Sequence, residues 1–122
     1  MTNTLLLYVA NATLSARFYA GLFGITPVEA SPTFALLILP SGLPIGLWGR
    51  EGVQPAPTTG GGGCDLGFKV KTFEEVDATY TDWQAKGVEI VFPPTDLDFG
   101  RSFVALDPDG HRLRVYALDE EQ

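Results

Sequence analysis

Asp107-Pro108-Asp109-Gly110-His111-Arg112-Leu113-Arg114-Val115-Tyr116 decides how this chain is read. Pro108 and Gly110 punctuate a hairpin turn. From Arg112 to Tyr116, polar and apolar side chains then alternate with period two, the pattern of a strand with one buried face. The same grammar occurs upstream in Leu39-Pro40-Ser41-Gly42-Leu43-Pro44-Ile45-Gly46-Leu47-Trp48. Both stretches hold Pro, a gap, Gly, and an alternating strand that ends in an aromatic residue. An internal duplication is the economical explanation.

The segments before each stretch fall in the same order. In the first half, Thr4 to Val9 is a short apolar run suited to a buried strand. Asn11 is placed to cap a helix on which Leu14, Phe18 and Leu22 recur at helical spacing, and Gly24 stops it. Strands are predicted at 26–30, 33–39 and 44–48. In the second half, 64–71 reads as a strand and Thr72 with Glu75 as a capping box. Val76, Tyr80 and Trp83 mark the helix face, and Gly87 ends it. Strands follow at 88–92, 101–106 and 112–117. The result is an α+β chain of two βαβββ modules, at 1–50 and 64–118, within one domain spanning 1–122. Residues 51–63, with Pro55, Pro57 and the run Gly60 to Gly63, read as a linker or surface loop that does not pack. The acidic tail, 119–122, reads as a solvated end.

Composition narrows the chemistry. With 122 residues, 45% hydrophobic and 19% charged, the chain suits one ordinary folded domain. No apolar run is long enough for a membrane span, and no secretory signal is visible at the start, so a cytoplasmic location is expected. A net charge of −7, with eight scattered Lys and Arg, argues against a nucleic-acid partner. One cysteine, Cys64, and one histidine, His111, are too few for an ordinary transition-metal site. The glycine run lacks a following Lys-Ser or Lys-Thr, so it is no phosphate loop.

Several motifs together give a family resemblance covering nearly the whole chain. Val9-Ala10-Asn11 with Ser15, Phe18-Tyr19 and Leu22-Phe23-Gly24, then Asp65-Leu66-Gly67-Phe68, then Asp107 to His111, resemble the glyoxalase, bleomycin-resistance and extradiol-dioxygenase superfamily. Ser41-Gly42, Gly46-Leu47-Trp48, the glycine run and Asp98-Phe99-Gly100 resemble its phenazine-antibiotic-resistance proteins. The resemblance implies two paired modules forming a cleft-shaped, partly open barrel, usually completed in a homodimer. Strand alternation would then put Ile45, Leu47, Phe68, Leu113 and Val115 under the helices. Gly46, Trp48, Asp65, Gly67, Arg112, Arg114 and Tyr116 would face the cleft.

Metal-dependent relatives place His or Glu at up to four positions, which the motifs carry to Thr4, Gly46, Asp65 and Arg114. Only Asp65 among these can ligate a metal, and a fixed cation at Arg114 opposes one. The expectation is a protein without metal or cofactor. Trp48 is the first ligand-binding candidate, as a flat stacking surface, with Gly46 leaving space beside it. Arg114 and Asp65 read as an ion pair joining strands or as a ligand clamp, Asp65 positioning the guanidinium for a ligand carboxylate or phenol. Tyr8, Phe99, Phe103 and Tyr116 are candidate walls, each also readable as core, and Ser102 is a candidate hydrogen-bond donor. No catalytic residue is assigned. The leading reading is a binding protein that sequesters a planar aromatic compound. The alternative is an enzyme of the same superfamily, metal-dependent or working by metal-free acid–base chemistry at Asp65.

Overall fold

The structure, a computed structural model, describes residues 1–119. The acidic tail expected at 119–122 therefore lies mostly outside the described residues; Asp119 itself donates its backbone N–H to Phe99 O at 3.0 Å. The chain divides into two compact units, Met1–Gly60 and a second that begins at Gly61. Each is a βαβββ module, as the duplicated grammar predicts. Among the described residues no helix is long and apolar enough to cross a membrane.

Module one runs β1 (Leu5–Val9), α1 (Ala12–Phe23), β2 (Glu29–Ala30), β3 (Phe34–Ile38) and β4 (Pro44–Gly49). The Asn11 side chain accepts from Leu14 N at 3.0 Å and caps α1, which ends at Gly24 in the left-handed region, φ 64°. Leu14, expected on the buried face, is 52% exposed. The packing face is instead Ala12, Ser15, Ala16, Tyr19 and Leu22, because small residues let the helix lie close to the sheet. The sheet order is β1-β4-β3-β2, with β1 and β4 parallel and the remaining pairs antiparallel. Leu7, Val9, Ala35, Leu37, Ile45 and Leu47 are buried on the α1 side. Each fully buried Leu or Ile there contributes roughly 1.5–3 kcal/mol before chain entropy is subtracted. The strand expected at 26–30 shortens to two residues, since Pro27 has no N–H to donate.

Module two runs β5 (Asp65–Lys69), α2 (Phe73–Ala85), β6 (Glu89–Leu97), β7 (Gly100–Leu106) and β8 (Arg112–Leu118). Thr72 Oγ1 accepts from Glu75 N at 3.1 Å, while Glu75 Oε2 accepts from Lys71 N at 3.3 Å, one residue upstream of the ideal box. The order β5-β8-β7-β6 repeats that of module one. Trp83 and Tyr80 of α2 pack on Phe103, with ring centroids 5.4 and 5.5 Å apart, and Trp83 meets Phe68 at 6.1 Å. Strand β6 runs past its expected end at Phe92 and through Pro93-Pro94. Its edge position tolerates the missing donors, and the register shifts between Ile90 and Phe92 and again before Thr95.

The stretch expected not to pack does so in part. Arg50–Gly52 forms a 3-10 turn, Val53 is 2% exposed, and Arg50 Nη2 donates to Thr59 O at 3.0 Å. Gly61 presses on the β7–β8 turn so closely that a Cβ would sit 2.9 Å from Asp109 O and His111 N. Only a glycine permits that approach.

Candidate functional site

In both modules the helix covers one side of the sheet, and strand alternation sends every second side chain to the other. These helix-free faces hold most of the candidate residues, and the two differ sharply in chemistry.

On module one, the register sets Tyr8, Trp48 and Phe34 in one row and Leu6, Gly46 and Leu36 in the next. Trp48 is half-buried, and Tyr8 meets it edge-on with centroids 6.3 Å apart and planes at 80°. Leu6 and Ile38 remain 46% and 39% exposed, so the face is apolar yet uncovered within its module. Gly46 corrects an expectation. It leaves no slot: a Cβ there would meet Leu6 Cδ2 at 2.6 Å and the Phe34 ring at 3.1 Å. Those two neighbours fill the space that its missing side chain vacates.

On module two, the register sets Asp65, Arg112, Leu106 and Glu89 in one row. Gly67, Arg114, Val104 and Phe92 form the next, followed by Lys69, Tyr116, Ser102 and Thr95. Arg114 Nε donates to Asp65 Oδ2 at 2.7 Å and Nη1 donates to Ser102 Oγ at 2.7 Å, which fixes the guanidinium plane. Arg112 Nε lies 3.3 Å from the other carboxylate oxygen, Asp65 Oδ1, but without hydrogen-bond geometry, and that buried nitrogen has no hydrogen-bond partner. The Tyr116 ring lies over Gly67, whose Cβ position is 3.4 Å from Tyr116 Cε1. Phe99, 40% exposed, meets Tyr116 edge-on at 6.2 Å and 83°.

Asp65, Arg114, Ser102, Tyr116 and Phe99 thus come together on module two, and Tyr8, Trp48 and Gly46 on module one. Phe103 is the candidate that falls away. It is fully buried on the α2 side between Tyr80 and Trp83, so it belongs to the core rather than to a ligand wall. Ser102 faces the helix-free side but is itself 0% exposed, and its hydroxyl is taken up by Arg114. Arg112 was absent from the candidates. Alternation along β8 put it beside Arg114, but its sharing of the Asp65 carboxylate depends on the pairing of two strands distant in sequence.

A second charged cluster secures the hairpin that carries Phe99. Arg101 donates Nε to Asp96 Oδ1 at 2.7 Å and Nη1 to Asp77 Oδ2 at 2.9 Å, and sits 4.8 Å over the Phe73 ring. The hydrogen bond from Arg101 holds the Asp96 carboxyl below its usual range, and the same bond raises the Arg101 guanidinium.

The positions carried over from metal-dependent relatives do not fit a divalent ion. Asp65 is the one donor there, and its two oxygens already face two guanidiniums. Among the described residues, no three His, Cys, Asp or Glu side chains gather as a metal-holding group.

Comparison with known proteins gives this architecture a context. The chain is 33% identical over 123 residues to the phenazine antibiotic resistance protein EhpR of Enterobacter agglomerans, covering 96% of this chain and 92% of that one. It is 46% identical to a protein of Agrobacterium tumefaciens with a solution structure, with a TM-score of 0.85 and coverage of 97% and 98%. A glyoxalase/bleomycin resistance protein/dioxygenase from Nocardioides is 26% identical with a TM-score of 0.84, covering 100% of this chain and 86% of its own. Residues 2–115 match the family description itself. With two βαβββ repeats and these relatives, the chain belongs to the glyoxalase/bleomycin resistance protein/dioxygenase superfamily.

Proposed function

We propose that the protein binds a planar aromatic small molecule and sequesters it unchanged, without a metal, as a drug-binding protein of the antibiotic-resistance type acting as a homodimer. One observation carries this reading: part-exposed aromatic rings stand on the helix-free face of each sheet, Trp48 and Tyr8 on one and Tyr116 and Phe99 on the other. A water-exposed sheet face normally carries polar side chains, and rings left there offer area and geometric selectivity to a flat ligand. The name of the 33%-identical relative, a phenazine resistance protein, supports the same class of ligand. The crowding of Asp65 by two arginines supports binding without a metal.

The test is titration with phenazine, followed by quenching of tryptophan fluorescence, with mass spectrometry of the recovered ligand. Trp48→Ala should weaken binding about tenfold or more, the scale of one lost aromatic contact and its buried area. The ligand should be recovered unchanged. Unaltered affinity in the variant, or conversion of the ligand, would sink the reading. A metal bound in near one equivalent with defined affinity, or a monomer by sedimentation, would remove the corresponding part of it.

A further inference from the structure

Resting on that reading, we propose that the ligand is an anion: an aromatic carboxylate whose oxyanion is held by Arg112 and Arg114 on the helix-free face of module two. Electrostatic balance is the first argument. By register, Arg112 and Arg114 of β8 stand beside Asp65 of β5 on that face, in a chain whose net charge is −7. Glu89 stands on the edge strand β6, two strands from Arg112. Around Asp65 itself, one carboxylate is shared by two guanidiniums. Among the described residues the local positive excess around Asp65 therefore lies on β8, on a protein that is otherwise strongly acidic.

Geometry supplies the second argument. Asp65 and Ser102 take Nε and Nη1 of Arg114, so the guanidinium is held in place while Nη2 makes no hydrogen bond among the described residues. The Arg112 side chain makes no hydrogen bond among the described residues either, and it is 41% exposed. Asp65 thus faces two guanidiniums that keep donors unspent, the arrangement that suits carboxylate recognition. The third argument is adjacency. Tyr116 follows Arg114 at the next position of the same strand face, its ring lying over Gly67 and braced by Phe99. An aromatic acid can lay its ring against Tyr116 while its carboxylate reaches β8. Arg112 is then a specificity-determining residue, selecting charge where the rings select shape.

The experiment compares two ligands with one ring system, phenazine-1-carboxylate and the neutral phenazine-1-carboxamide, by tryptophan quenching at low salt. The carboxylate should bind about tenfold more tightly, the scale of one charge-assisted contact. In Arg112→Gln and Arg114→Gln, each checked for folding by circular dichroism, that ratio should fall toward one; Arg112→Lys should keep part of it. Raising salt should shrink the ratio in the wild-type protein. Equal affinity for the two compounds would overturn the anion proposal while leaving aromatic sequestration standing. Binding of neither compound would overturn the sequestration reading and this proposal with it. The wild-type comparison decides the matter even if a variant fails to fold.

Discussion

In the parallel strand pair of module one, Gly46 on β4 is covered by Leu6 from β1; in that of module two, Gly67 on β5 is covered by Tyr116 from β8. Strand order and pairing are the same in both. A pleated pair of parallel strands has room for one bulky side chain above a bare backbone, and the two copies have placed that bulk on opposite strands. The exchange changes what each face can do. With glycine on β4, module one presents a face of Leu6, Tyr8, Phe34 and Trp48, and no ion pair lies in this module among the described residues. With glycine on β5, the position matching Gly46 becomes Arg114, tied to Asp65 and Ser102. One fold duplicated thus gives an apolar surface once and a charged one once.

The sharpest way to separate the modules is to add one methyl group to a glycine of each. Gly100→Ala should destabilise most, by about 3 kcal/mol or more, because Gly100 has φ 151° and its Cβ would collide with the Ala117 carbonyl oxygen. Gly46→Ala meets the far end of Leu6, a flexible side chain, and should cost about 1 kcal/mol. Urea denaturation of the two variants reads the difference, and equal losses would erase the contrast drawn between backbone and side-chain crowding.

Arg114→Met comes next. It strips the donor from a Ser102 hydroxyl that is 0% exposed and leaves Asp65 to Arg112 alone, so a loss of about 1–3 kcal/mol is expected. A double-mutant cycle with Ser102→Ala should recover a coupling of about 1 kcal/mol. Additive losses would mean that the network is only a set of neighbours.

The smallest effect belongs to Asp96. Its carboxyl is held below the usual range by the hydrogen bond from Arg101, so the unfolded chain takes up its proton first as pH falls. The contribution is present above the ordinary aspartate range and is lost as pH drops through the lower folded value. Stability curves of the wild-type protein and Asp96→Asn should therefore converge in acid and part slightly toward neutrality. Since Asp96 is exposed and Arg101 only half-buried, the separation should be small and should shrink with salt. Curves that part in acid instead would reverse the assigned sign.

What could be read from sequence was local. The Asn11 cap, the Thr72 and Glu75 box, the glycine stops and the alternation along β8 all follow from residues within a few positions of one another. They delivered both modules and the side to which Arg114 and Tyr116 point. Errors arose where a contact joins distant segments. Leu14 was assigned to the buried face because apolar spacing counts large residues, whereas α1 packs through Ala12, Ser15 and Ala16. Gly46 suggested empty space because its cover comes from Leu6, forty residues earlier. Phe103 stays open between wall and core because its neighbours in sequence do not tell which side of β7 faces α2.

Gly100 has a bearing on that register. The β7 backbone runs so close to the Ala117 carbonyl at this one point that the next residues along β7, Arg101 and Ser102, cannot take its place there. Sliding β7 along β8 would bring a side chain into the pinch, so the hairpin closes in one alignment only, as a key seats in a lock with a single notch. That alignment brings Ser102 within reach of Arg114. A backbone without a side chain, at the rim of the sheet, therefore determines which hydroxyl the arginine finds.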